Sequence, residues 1–102
     1  MAKLFMDSLD YDNAITQLEF VLEQAEDETL MMVARQRIAR IYIEKTEFQE
    51  ALDLLEQVQA PGAFQAQYEI IKGDAYLGMG EQENARASYE IALESLSPGS
   101  FA

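Results

Sequence analysis

The chain contains no cysteine and no histidine. Without cysteine there is no disulfide, no thiolate nucleophile and no cysteine-ligated metal; the absence suits an oxidising or a reducing compartment equally. Without histidine the commonest general base and metal ligand is missing. Serines and threonines occur, but none has a histidine to activate it, and there is no nucleophile elbow. Proline is nearly absent, with two residues in 102, so little interrupts a helix. No apolar run approaches the roughly 18 to 20 residues that span a bilayer, and no signal peptide is visible. Nothing alternates at period two, so no strands are expected. Basic residues are scarce. Seven Lys and Arg stand against 19 Asp and Glu, a net charge of −12. Phosphate backbones and anionic lipid repel such a surface, so neither is an expected partner, and without a long apolar run no direct membrane insertion by this segment is expected.

What is present is apolar and helix-forming. Apolar residues make up 49% of the chain, which implies a folded domain, and good helix formers dominate. The length suits one domain, residues 1–102, with a modest core. Small residues recur in step. One segment reads Ala39-Arg40-Ile41-Tyr42, then Phe48, Ala51, Leu55 and Val58; a later one reads Gly73-Asp74-Ala75-Tyr76, then Gly80, Ala85, Tyr89 and Ala92. In both, a small residue is followed three positions on by tyrosine and twelve on by alanine. Ala51 and Ala85 lie 34 residues apart, the period of the tetratricopeptide repeat. A shortened first copy carries Phe5, Tyr11, Ala14, Leu18 and Val21, and Ala14 precedes Ala51 by 37 residues. Two antiparallel helices approach closely only where small side chains leave notches, which Ala39, Gly73, Ala51 and Ala85 supply. A single hairpin cannot bury its apolar face, so copies must stack. The expected fold is all-α: antiparallel helical hairpins stacked as a short tetratricopeptide-like right-handed solenoid, with a partial repeat over 1–26 and repeats over 27–60 and 61–98.

Helices are expected near 11–25, 29–45, 48–59, 63–78 and 82–96. Ser8-Leu9-Asp10 reads as a turn with Asp10 or Asp12 as the following cap. Asp27 or Thr29 caps the next helix. Ala60-Pro61-Gly62 is the clearest loop. Gly78-Met79-Gly80 ends a helix through glycine's left-handed conformation, and 97–100 ends the last one. Met1 to Asp7 reads as the tail of a longer helix, so the chain is expected to be a piece of a longer protein.

No residue set argues for catalysis. The carboxylates fall on polar helix faces, no calcium loop occurs, and Gly78-Met79-Gly80 follows a helix rather than the strand a dinucleotide site needs. The methionines read as core filler. No enzyme activity and no cofactor or metal are expected. Stacked hairpins curve, and the first helix of each pair lines the concave side. Extrapolated from the register, a protein or peptide partner meets Met6, Val33, Gln36, Arg40, Ile43, Glu44, Gln67, Ile70, Asp74 and Leu77, a mixed strip of apolar and charged groups that also takes in Lys3 and Asp7. Four of the seven basic residues, Arg35, Arg37, Arg40 and Lys45, cluster in one helix. Arg40 either pairs with Glu44 one turn along or meets a carboxylate of a bound chain. The exposed end helices, with Ile91, Leu93 and Leu96, are the alternative basis for action, through self-association into a homo-oligomer.

The segments Phe5-Met6-Asp7, Tyr11 to Leu18, Arg37 to Tyr42, Glu50 to Leu55, Gly73 to Leu77 and Gly80 to Arg86 together resemble YfgM-like proteins, ancillary subunits of the bacterial SecYEG translocon. The resemblance covers nearly the whole chain. It implies a periplasmic helical-repeat domain behind an N-terminal membrane anchor, association with the translocon and with periplasmic chaperones, and no catalytic residues. It places the protein on the periplasmic side of the inner membrane; outside that family a cytoplasmic location is expected. Many tetratricopeptide proteins grip a chaperone's terminal carboxylate with inward lysines and asparagines. Gln36, Arg40, Ile70 and Asp74 hold those places here, so that clamp is not expected.

Overall fold

A computed structural model describes residues 8–96. They form helices α1 (Ser8–Gln24), α2 (Glu28–Glu44), α3 (Phe48–Glu56), α4 (Gln65–Gly78) and α5 (Gln82–Leu96), with a 3-10 turn at Gly62–Phe64 before α4. No strand occurs among the described residues. Each helix packs on the next, and α2 also packs on α4. The architecture is therefore all-α, with hairpins stacked so that first helices lie against first helices.

The notches meet as the repeat demands. Ala39, Ala51, Leu55 and Ile71 are fully buried, and with Met32 and Tyr68 they form one core cluster that Tyr42, Ile43, Leu54, Val58 and Phe64 cover. Burying a side chain the size of Leu55 is worth about 1.5–3 kcal/mol. In the later hairpin a Cβ at Gly73 would lie 2.4 Å from the Tyr89 ring. Glycine is what lets that ring lie on the α4 backbone. Residues 39 and 73, like 55 and 89, are one repeat apart: an alanine with a leucine in one copy becomes a glycine with a tyrosine in the next.

The helix stops repeat in the same step. After α2 the amide of Thr46 donates to the Ile43 carbonyl at 2.9 Å and that of Glu47 to the Tyr42 carbonyl at 2.8 Å. After α4 the amide of Gly80 donates to the Leu77 carbonyl at 3.0 Å and that of Glu81 to the Tyr76 carbonyl at 2.8 Å. Both are Schellman caps with a left-handed residue at the pivot, φ +61° at Thr46 and +82° at Gly80. Asp27 caps α2 by accepting from the Thr29 amide at 3.0 Å.

Several local expectations are corrected. Ser8-Leu9-Asp10 is helical, because α1 starts at Ser8. Asp10 and Asp12 therefore lie inside α1; the Asp12 carboxylate instead accepts from Lys45 Nζ at 2.6 Å and ties α1 to the end of α2. The helix expected near 48–59 stops at Glu56, ahead of the loop at Pro61. The Gly78-Met79-Gly80 stop holds, with Gly80 as the left-handed glycine, and Gly78 has a further role. It is helical, and its bare Cα receives the Phe48 ring, which a Cβ would approach to 2.4 Å. Met1 to Asp7 and residues 97–102 lie outside the described residues.

Candidate functional site

Helices α2 and α4 run side by side because their first-helix registers repeat, and this sets the expected strip. Val33, Gln36 and Ile43 on α2 and Ile70 on α4 are half-buried, whereas Arg40, Glu44, Gln67 and Leu77 are exposed. Ile43 packs on the core cluster, so only part of it faces outward. Met6, Lys3 and Asp7 fall outside the described residues.

Two of these residues are brought together. Arg40 Nη1 lies 3.5 Å from Asp74 Oδ2 across the two helices. Arg40 thus pairs with the adjacent first helix, and the expected pair with Glu44 does not form. With the side chains 51% and 33% exposed, such a pair contributes at most about 1 kcal/mol and leaves guanidinium donors free for a ligand. Asp74 is fixed from behind. Tyr89 on α5 donates its hydroxyl to Asp74 Oδ1 at 2.5 Å. Burial, then that hydrogen bond and the carboxylate's charge, push the Tyr89 phenol up to about 12, so it remains a donor throughout the physiological range.

The basic cluster of α2 divides by role. Arg35 Nη1 donates to the Leu54 carbonyl at 3.3 Å and to Gln57 Oε1 at 2.7 Å, clamping α3 against α2. Lys45 is held by Asp12 and Glu47. Arg37 and Arg40 remain exposed. Behind the strip, Tyr68 is buried and donates to the Met32 carbonyl at 2.8 Å. Burial raises its pKa, and the neighbouring Arg35 partly opposes the rise.

Sequence reasoning did not single out Tyr89 as the residue that orients Asp74. The available signal was the Leu55-to-Tyr89 replacement one repeat apart, which brings in a hydroxyl where the earlier copy has none. It also did not find an open groove of about 440 Å³ between α4 and α5, lined by Leu77, Gln82, Ala85, Arg86, Tyr89, Glu90 and Leu93. Among the described residues, no helix is long and apolar enough to cross a membrane, and no group of three acidic, His or Cys side chains could hold a metal ion.

Comparison with known proteins agrees with the helical-repeat fold. The chain is similar to the ancillary SecYEG translocon subunit of Escherichia coli (strain K12), with 28% identity over 95 residues covering 93% of this chain and 46% of that protein. It is equally similar to the protein of the same name from Aggregatibacter actinomycetemcomitans, 28% identical over 94 residues, 92% of this chain and 46% of that one. The Haemophilus influenzae counterpart is 29% identical over 94 residues, with the same coverage. The chain thus spans about half the length of the curated relatives it matches. No solved structure matches it. The family described as tetratricopeptide repeat-like domain matches residues 1–101, and with the hairpins, notches and caps in 34-residue step this chain belongs to that family.

Proposed function

We propose that the chain is a non-catalytic protein-interaction module that serves a translocon-associated protein on the periplasmic side of the bacterial inner membrane. The strip along α2 and α4 takes the partner, through Val33, Gln36, Arg40, Ile43, Glu44, Gln67, Ile70, Asp74 and Leu77. The observation that carries this reading is the Arg40–Asp74 pair spanning two adjacent first helices. It sets a half-satisfied cation beside apolar groups, where a partner's carboxylate or carbonyl can complete it. The similarity to ancillary SecYEG translocon subunits supports the choice of partner. The test is binding of the purified chain to SecYEG in nanodiscs. Arg40→Glu reverses the exposed charge and is expected to weaken binding about tenfold, or about 1.4 kcal/mol, while Arg37→Glu does little. Equal binding by wild type and Arg40→Glu would remove this strip from the contact.

A further inference from the structure

We propose that the groove between α4 and α5 is a docking site for an amphipathic helix of a partner protein, one whose apolar stripe is flanked by lysine or arginine. This surface is separate from the α2–α4 strip and shares only Leu77 with it.

The first ground is the repeat itself. Move the groove residues back one 34-residue step and Leu77, Ala85 and Tyr89 become Ile43, Ala51 and Leu55. In that earlier copy the surface is covered: Ala51 and Leu55 are fully buried, and Tyr68 and Ile71 of helix α4 lie in the same cluster. The later copy offers the equivalent apolar floor, with Ala85 at the notch and Leu93 added where the earlier copy has Gln59. Here Ala85 is still buried under its own hairpin, but the large side chains at the groove's edges open to solvent, Leu77 being 52% and Leu93 64% exposed. The shape that fits it is the shape that fits its twin, a helix with large residues at i and i+3 and a small one at i+7, as Tyr68, Ile71 and Ala75 are spaced on α4.

The second ground is charge. Glu90 lines the groove, and Glu83 and Glu94 share its face of α5 by helical spacing; all three are exposed. Among the described residues Arg86 is the one cation in the groove's lining. With a net charge of −12 on the chain, a second copy meets like-charge repulsion at this face. A helix with basic flanks is steered toward it instead.

The probe is a synthetic peptide with the sequence of residues 62–79 carrying Glu69→Lys and Asp74→Lys. It keeps the α4 stripe and makes its flanks basic. Binding to the full chain is read by fluorescence anisotropy, with amide chemical shifts mapping the contact. Leu93→Asp replaces an exposed side chain and leaves the fold intact by circular dichroism. It is expected to weaken the peptide about tenfold. Glu90→Lys with Glu94→Lys is expected to weaken it about fivefold at low salt, an effect that high salt erases. Arg40→Glu leaves this binding unchanged, so failure of the strip and failure of the groove are told apart. The proposal is overturned if the peptide does not bind, if Leu93→Asp binds it as wild type does, or if the unmodified acidic peptide binds equally well. It is also overturned if sedimentation shows a wild-type dimer that Leu93→Asp converts to monomer, which would assign the groove to a second copy.

Discussion

The hairpins α2–α3 and α4–α5 solve one packing problem with different side chains. In the first, Ala39 and Leu55 share a fully buried core. In the second, Gly73 gives up its Cβ so that the larger Tyr89 ring can occupy the space, and the ring's hydroxyl reaches Asp74. The first pair is purely apolar. The second spends the same volume on a ring that packs and also orients a surface carboxylate. The difference teaches that small and large positions are set jointly across the repeat, and that function enters where the exchange brings in a polar atom.

The caps give the largest way to sharpen the comparison. Both stops use a left-handed residue, but one is Thr46 and the other Gly80. A β-branched residue is strained there, so Gly80→Thr should cost about 1–2 kcal/mol. Thr46→Gly should relieve strain and stabilise by about 0.5–1 kcal/mol, less than the reverse change costs because glycine also loses more freedom on folding. Urea unfolding midpoints check both. Equal and small shifts at the two sites would break the claimed equivalence of the caps.

A smaller effect separates the hairpins by pH. The Tyr89 phenol stands at about 12 in the fold against about 10 in the unfolded chain, because its protonated form is favoured when folded. That stabilisation is complete below about pH 10 and is lost as pH rises through about 12. Tyr42, Tyr68 and Tyr76, raised chiefly by burial, and Lys45, raised chiefly by its hydrogen bond to Asp12, act in the same direction. Stability should therefore fall above about pH 10, and Tyr89→Phe should fall less steeply than wild type. Parallel curves would mean that burial and the Asp74 hydrogen bond do not raise the Tyr89 phenol in the fold.

The fold was readable because side-chain size is a local property that recurs. Ala39, Ala51, Gly73 and Ala85 announce the notches, Asp27 or Thr29 the cap, which is Asp27, and Pro61 the loop before α4. What was not readable depends on how helices cross. Periodicity places Arg40 and Glu44 on one face, yet Arg40 turns to Asp74 because α4 lies alongside. Gly78 belongs to the stop that the sequence announces, but its second role, as a seat for Phe48 from another helix, does not show in the spacing. The strip itself was partly legible. Its members follow from the register, but the role of Tyr89 in fixing Asp74 comes from a third helix that spacing alone does not bring near.

The most direct test of reciprocal packing is a double-mutant cycle on Gly73→Ala and Tyr89→Leu, which together recreate the Ala39–Leu55 pair. In the wild-type background a methyl group at residue 73 strikes the Tyr89 ring, a clash worth about 1–3 kcal/mol, against a gain of about 1 kcal/mol in helix propensity; the net change should be destabilising. In the Tyr89→Leu background the clash is gone and the same substitution should stabilise, giving a coupling of about 2 kcal/mol. If Gly73→Ala changes stability by the same amount in both backgrounds, the two positions are not exchanging volume and the account is wrong.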